Sequence, residues 1–274
     1  MTAAGPDSPA TSRLFARRPV LIGMVHLPAL PGAIRHTSPL DQIIDQATRD
    51  ASLLAKAGFT AVLVENFGDQ PFLPETVAPH TVAAMSIVVR ELCRRLDCPV
   101  GLSVLRNDAL AAVAIAAVAG ADFIRVNIHT GVYATDQGLI QGRAAQTLRY
   151  RRELASDLAI LADVHVKHAQ PLSSSDPALA AAETAYRGLA DALVLTGPAT
   201  GQPVDPNDLA TVRHAVPDRP VLVGSGVTPE NLQQCLAQAD GVIVGTSLKR
   251  DGRTENPLDP RRLDHFIQCA RQAR

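Results

Sequence analysis

The chain has 274 residues, of which 46% are hydrophobic and 19% charged, with a formal net charge of −1. That length suits a single large α/β domain, barrels of about 250 residues being common, and the near-neutral charge excludes the basic footprint of a nucleic-acid-binding protein. Aromatic residues at 3% without Trp exclude a stacking platform for single strands, and no run of about 18 apolar residues is present to span a membrane. The cysteines Cys93, Cys98, Cys235 and Cys269 are scattered, with no C-x-x-C pair, which fits reduced thiols and a cytoplasmic location. Residues 1–18, rich in Ala, Ser, Pro and Arg, lack the apolar stretch of a secretory signal and are expected to form a disordered tail. The folded unit is expected over residues 19–274.

From Pro19 onward, short β-branched runs alternate with Ala/Leu-rich helical ones. Val20–His26 reads as a first strand. Leu40–Ala57 has the apolar spacing of a helix and ends at Gly58, a good C-cap. Ala61–Glu65 is the second strand and residues 81–96 its helix. Residues 99–105 form the third strand, followed by a helix over 108–119 that Gly120 terminates. The pattern continues with a strand over 122–127, a helix over 142–156, a strand over 159–166 and a helix over 177–188. Ala192–Leu195 is the sixth strand, with a helix over 208–215. Residues 220–223 make the seventh, and the helix over 229–237 is expected to take Thr228 as N-cap and Pro229 at its first position. Residues 241–245 make the eighth, and a helix over 260–270 closes the chain.

Strands this apolar bury both faces, as a parallel sheet under helices requires, and eight such units predict a single-domain (β/α)₈ TIM barrel. A doubly wound open sheet is the alternative. It usually has fewer units and a Gly-rich turn after its first strand, whereas here Gly23 lies inside that strand.

Barrel chemistry lies on the loops after each strand, and the polar residues fall there. His26 ends the first strand, and Glu65 and Asn66 end the second. Arg106, Asn107 and Asp108 follow the third. Arg125, Asn127 and His129 alternate along and beyond the fourth strand. Asp163, His165 and Lys167 alternate along the fifth, with His168 next. Alternation puts each triplet on one face, and if that face is the interior the rows converge at one mouth. A single such residue reads as well as a packed, hydrogen-bonded core group. The set together points to a site, because buried charge needs a partner or ligand. The candidate catalytic residues are therefore His26, Glu65, Arg125, Asn127, Asp163, His165 and Lys167.

The last two strands end on Gly224, Ser225 and Gly226 and on Gly245, Thr246 and Ser247, with Lys249 close behind. Glycines let backbone N–H groups approach an anion, and the loops after strands seven and eight are the usual barrel phosphate site. Arg106, Asn107, Thr196 and Gly197 complete the candidate binding set. The Thr196 loop reads equally as a mobile cover or a polar turn. Residues 133–141 form a long connection, read as a lid.

Several stretches resemble the BtpA/SgcQ family. They are Gly23-Met-Val-His-Leu-Pro-Ala-Leu-Pro-Gly32, Val64-Glu-Asn-Phe-Gly-Asp69, Leu105-Arg-Asn-Asp108, Phe123-Ile-Arg-Val-Asn127, His129-Thr-Gly131, Thr135-Asp-Gln-Gly138, Ala162-Asp-Val-His-Val-Lys-His168, Val223-Gly-Ser-Gly-Val227 and Val244-Gly-Thr-Ser-Leu-Lys249. The resemblance runs from Pro19 to the C-terminal helix. It implies a barrel related to ribulose-phosphate-binding enzymes, and it brings an association, in cyanobacteria, with accumulation of photosystem I. Nothing in the chain looks like a photosynthetic targeting signal or a pigment-binding surface.

Two functions follow as expectations. One is a lyase or isomerase acting on a phosphorylated sugar or nucleotide-like compound. Asp163, His165 and Glu65 would supply acid–base chemistry, Arg125 or Lys167 would stabilise an oxyanion, and Lys167 could instead form a Schiff base. Glu65, Asp163 and His165 are also ligand types for a divalent metal, without strict ligand spacing. The other is a non-catalytic assembly or stability factor that keeps the barrel as a scaffold. The expected partners are a phosphorylated small molecule and further copies of the chain.

Overall fold

The structure, a computed structural model, describes residues 9–154, 157–199 and 201–273. Runs of Val, Ile, Leu and Ala produce strands β1 (Val20–His26), β2 (Ala61–Glu65), β3 (Val100–Ser103), β4 (Phe123–Val126), β5 (Ala159–Val164), β6 (Ala192–Leu195), β7 (Val221–Val223) and β8 (Gly241–Val244). They pair in parallel, in chain order, and β8 closes on β1. Nearly every strand residue is buried, because one face fills the barrel and the other supports the helices.

The outer layer is built by α2 (Leu40–Ala57), α3 (Pro79–Arg95), α4 (Ala109–Ala119), α5 (Ala144–Glu153), α6 (Pro177–Ala182), α7 (Pro206–Ala215), α8 (Leu232–Leu236) and α9 (Pro260–Gln272). Gly58 and Gly120 end α2 and α4 in the left-handed conformation expected of them. Inside the barrel, Ile22, Leu63, Phe123, Leu161, Val194 and Leu222 form a separate apolar core. Gly101 makes room for it: a Cβ there would lie 2.2 Å from the Phe123 ring.

Four local expectations are corrected. Residues 1–8 lie outside the described residues, but Pro9–Leu14 forms a helix, α1, with Ala10 and Leu14 joining the inner core. Composition suggested a tail, yet the barrel floor offers an apolar opening that Leu14 fills. The segment after β4 is not an open loop. Val132–Thr135 and Gly138–Gln141 pair antiparallel, and Ala169–Pro171 adds a third strand. This hairpin is tethered by Glu75, which accepts from the Gln141 amide at 3.0 Å and pairs with Arg143. The following helix therefore starts only at Ala144. Finally, α8 is shorter than expected. Its N-cap is Asn231, whose Oδ1 accepts from Thr228 N at 2.9 Å while its Nδ2 donates to Gly226 O at 2.8 Å. That side chain holds residues 226–228 as a turn, so Thr228 does not cap the helix.

At the N-terminal end of the barrel, the residue before each even strand grips the start of the strand preceding it. Thr60 N donates to Leu21 O at 2.9 Å while Thr60 Oγ1 accepts from Leu21 N at 2.8 Å. Asp122 does the same with Val100, Asp191 with Ile160, and Asp240 with Val221. The aspartates carry cations: Arg13 on Asp122, Arg151 on Asp191, and Arg18 and Arg213 on Asp240. Replacing Asp191 by Ala strips the acceptor from the Ile160 amide and from Arg151. The expected loss is about 1–3 kcal/mol of unfolding free energy, read from chemical denaturation.

Candidate active site

The C-terminal ends of the strands open onto a cavity of about 270 Å³. Its inner wall is made by Met24 and His26 of β1, Glu65 of β2, Arg125 of β4 and Lys167 beyond β5, and its rim by residues 224–228 and 245–247. Phe67 and Arg262 also line it, though neither stands among the candidate residues of the strand ends and Gly-rich turns.

The centre of the site is a buried ion pair. Arg125 Nε donates to Asp163 Oδ1 at 2.8 Å and Nη2 to Oδ2 at 2.9 Å, with side-chain exposures of 3% and 0%. Asn127 Nδ2 adds a third bond to Asp163 Oδ2 at 3.2 Å. Burial alone would lower the Arg125 pKa, but the charge and hydrogen bonds of Asp163 outweigh it and the net shift is upward. Gly224 leaves room for the guanidinium: a Cβ there would lie 3.2 Å from Arg125 Nη2 and 2.4 Å from Val194. Asp163 thus positions Arg125, with both its oxygens occupied.

Glu65 and Lys167 are different. Both face the cavity, and neither side chain has a hydrogen bond or ion pair among the described residues. Burial pulls the Lys167 pKa down and the neighbouring Arg125 adds to this, against the opposing charges of Glu65 and Asp163. His26 is held neutral: burial, then Lys249, Lys167 and Arg125, push its pKa down to about 3. Its ring packs on Phe67 with centroids 5.0 Å apart, and a Cβ on Gly245 would lie 2.7 Å from His26 Cε1.

The rim hydroxyls tie the loops to one another. Ser225 Oγ accepts from Gly197 N at 2.7 Å and donates to Gln202 O at 3.1 Å. Ser247 Oγ donates to Val227 O at 2.7 Å, and Thr246 Oγ1 lies 2.8 Å from Thr254 Oγ1. The backbone amides of Ser225, Gly226, Gly245 and Thr246 have no acceptor among the described residues. Gly226 takes φ +65, and a Cβ there would lie 2.2 Å from Gln202 O. The two turns therefore reach one cavity with unpaired donors.

Other candidates lie outside the cavity wall. Arg106 Nη2 donates to Lys167 O at 2.8 Å, and Thr196 Oγ1 accepts from Lys167 N at 3.1 Å, so both hold the backbone of Lys167. Asn107 is used in a two-way bond with the Ile128 backbone. His129 bonds Gly188 O at 2.8 Å. The single-face row through Asp163, His165 and Lys167 is corrected: β5 ends at Val164 and His165 takes φ +52, which turns it toward Tyr133, 3.4 Å from Nδ1. Lys249 is also displaced from the phosphate turn. It is 2% exposed and pairs with Asp50 of α2 at 3.7 Å, because a buried ammonium requires a counter-ion. No three His, Cys, Asp or Glu side chains among the described residues gather as a metal-ligand group, so Glu65, Asp163 and His165 do not form one.

The fold and its polar mouth define a (β/α)₈ barrel with its candidate site at the C-terminal face. In fold it is similar to N-(5'-phosphoribosyl)anthranilate isomerase from Pyrococcus furiosus, with TM-score 0.56, 14% identity and coverage of 92% of this chain and 99% of that one. The chain belongs to the BtpA family, whose family model matches residues 17–272. It is 48% identical to the photosystem I biogenesis protein BtpA of Synechocystis over 91% of this chain and 87% of the relative. It is 46% identical to an uncharacterised protein of Thermococcus kodakarensis over 95% and 98%.

Two measurements check the electrostatics. Replacing Asp163 by Ala leaves Arg125 buried and unpaired, and should cost about 3–5 kcal/mol of stability in denaturant titrations. His26 has a folded pKa below its unfolded value, so between about pH 6.5 and pH 3 the unfolded chain binds the extra proton. This contribution is present above pH 6.5 and is lost as the pH falls. His26→Gln should flatten that part of the stability profile, and the His26 ring resonances should not titrate above pH 5.

Proposed function

We propose that the cavity binds a phosphorylated small molecule and that the protein is an enzyme of the lyase or isomerase class. The observation that carries this reading is the pair of turns after β7 and β8. They bring four amides to the same small cavity as a carboxylate and an amine, all of them unpaired among the described residues. Free N–H groups on Gly-rich turns suit a phosphate, and barrels commonly use this position for one. Arg262 of α9, exposed at the rim and held by a 3.1 Å bond to Ser247 O, adds a cation to the same end.

The inner wall suits proton transfer. Glu65 is a free carboxylate placed to take a proton from a bound substrate. His26, kept neutral, can donate or accept a hydrogen bond without carrying charge. Arg125, fixed by Asp163, presents a guanidinium to oxygen that gains charge during reaction. A scaffold would have no need of unpaired charges on an enclosed wall. The name of the Synechocystis relative points to photosystem I, but a relative of nearly equal identity, from Thermococcus kodakarensis, carries no such name. A small-molecule activity is common ground for both.

Thermal-shift titration tests the reading. Inorganic phosphate and ribulose 5-phosphate should raise Tm in a saturable way, as ligands of the native state do, and Arg262→Ala should weaken binding about tenfold, the equivalent of one lost charge-assisted hydrogen bond. No shift with any phosphorylated compound would overturn it.

A further inference from the structure

Of the 26 lysines and arginines in the chain, three are lysines: Lys56, Lys167 and Lys249. Lys56 is exposed in the last turn of α2, and Lys249 is buried on Asp50. Lys167 is half-buried and turned to the cavity, and its Nζ has no hydrogen bond or ion pair among the described residues. Its backbone is clamped on both sides, N–H to Thr196 and C=O to Arg106. The position is thus a fixed one in an otherwise arginine-rich chain.

A permanent cation at this point would be better supplied by arginine, which is always charged and forms bidentate bonds to phosphate. Arg125 on the inner wall and Arg262 at the rim already supply permanent cations to the same cavity. What lysine adds is a nitrogen that can lose its proton and act as a nucleophile, and desolvation beside another cation is the arrangement that favours this. Glu65 completes the surroundings as a proton carrier, and neutral His26 as a hydrogen-bonding group.

We propose that Lys167 forms an imine with the carbonyl carbon of a phosphorylated aldehyde or ketone, so that the substrate is a phosphorylated carbonyl compound. The inference rests on the phosphate reading above. The neutral Nζ attacks the carbonyl carbon, and the C–N bond forms as the C=O π pair moves to oxygen, facing Arg125. The proton lost by nitrogen is carried by Glu65 to that oxygen. A second proton, taken up by Glu65 from solvent and passed on, releases the oxygen as water and leaves an iminium ion. The iminium then draws electrons from an adjacent C–H bond, whose proton passes to the Glu65 carboxylate, or from a C–C bond, whose outer fragment leaves as a second carbonyl compound as its hydroxyl proton passes to Glu65. Hydrolysis restores the amine, and no oxidant or reductant takes part.

The test is reductive trapping on the full-length protein with D-glyceraldehyde 3-phosphate and sodium cyanoborohydride, with peptide mapping by mass spectrometry. Lys56 serves as the internal exposed reference. Lys167 should be modified at least about tenfold faster than Lys56 near neutral pH, because a substrate bound in the cavity is held beside a desolvated amine. Unphosphorylated glyceraldehyde should label it more slowly, and saturating inorganic phosphate should protect it. Lys167→Arg, which keeps the charge, should abolish the adduct at this position and still give a phosphate-dependent rise in Tm. A rise in Tm without trapping at Lys167 would overturn the imine and leave the phosphate reading standing. Trapping that is equal for the two aldehydes and untouched by phosphate would overturn the phosphate reading, and the proposed substrate class with it.

Discussion

Two opposite charges lie where the barrel would otherwise be filled with hydrocarbon. Arg125 and Asp163 face each other across β4 and β5 with almost no exposure, joined by two hydrogen bonds and supported by Asn127. A charge in that position is tolerable only when its partner is present and well placed. The remaining polar layer takes its order from this pair. Arg125 is aimed toward the cavity, Gly224 is required beside it, and its field adds to the burial that lowers the pKa of His26 and of Lys167.

Below the pair the interior is apolar, with Phe123, Leu161 and Leu222 closing the barrel. Above it the groups divide by whether they have partners. Asp163, Asn107, Ser225, Ser247 and Thr196 have hydrogen bonds within the chain and fix the loops. The side chains of Glu65 and Lys167 and the four rim amides have none among the described residues. Buried polar groups are ordinarily paired, so the unpaired ones outline the space that a ligand would complete.

Most of the frame could be read from the sequence because it rests on local patterns. The apolar runs at 20–26, 61–65 and 192–195 could not be half-exposed strands, and Gly58 and Gly120 mark helix ends by their conformation alone. Interior parity was legible at Arg125 and Asp163, which lie inside regular strand. It failed at His165, because alternation holds only while the strand lasts and β5 stops one residue earlier. Lys249 looked like a phosphate ligand beside its glycine, but its counter-ion, Asp50, is about two hundred positions away and gives no local signal. The hairpin at 132–141 depends on Ala169–Pro171 for its third strand, again a distant pairing. Arg262 reaches the rim from α9, a helix whose pattern shows only which face is apolar.

The reciprocal grips at the barrel floor alternate around the ring. Strands one and two, three and four, five and six, and seven and eight are joined by a side chain as well as by backbone. The intervening joints begin with backbone bonds, such as Val62 N to Pro99 O and Leu193 N to Pro220 O. The outline is eightfold, but the construction is fourfold, a ring of strand couples. A circular permutant opened between β2 and β3 or between β6 and β7 would keep every couple whole. One opened between β5 and β6 would divide a couple and leave its aspartate to find the partner strand across the new termini.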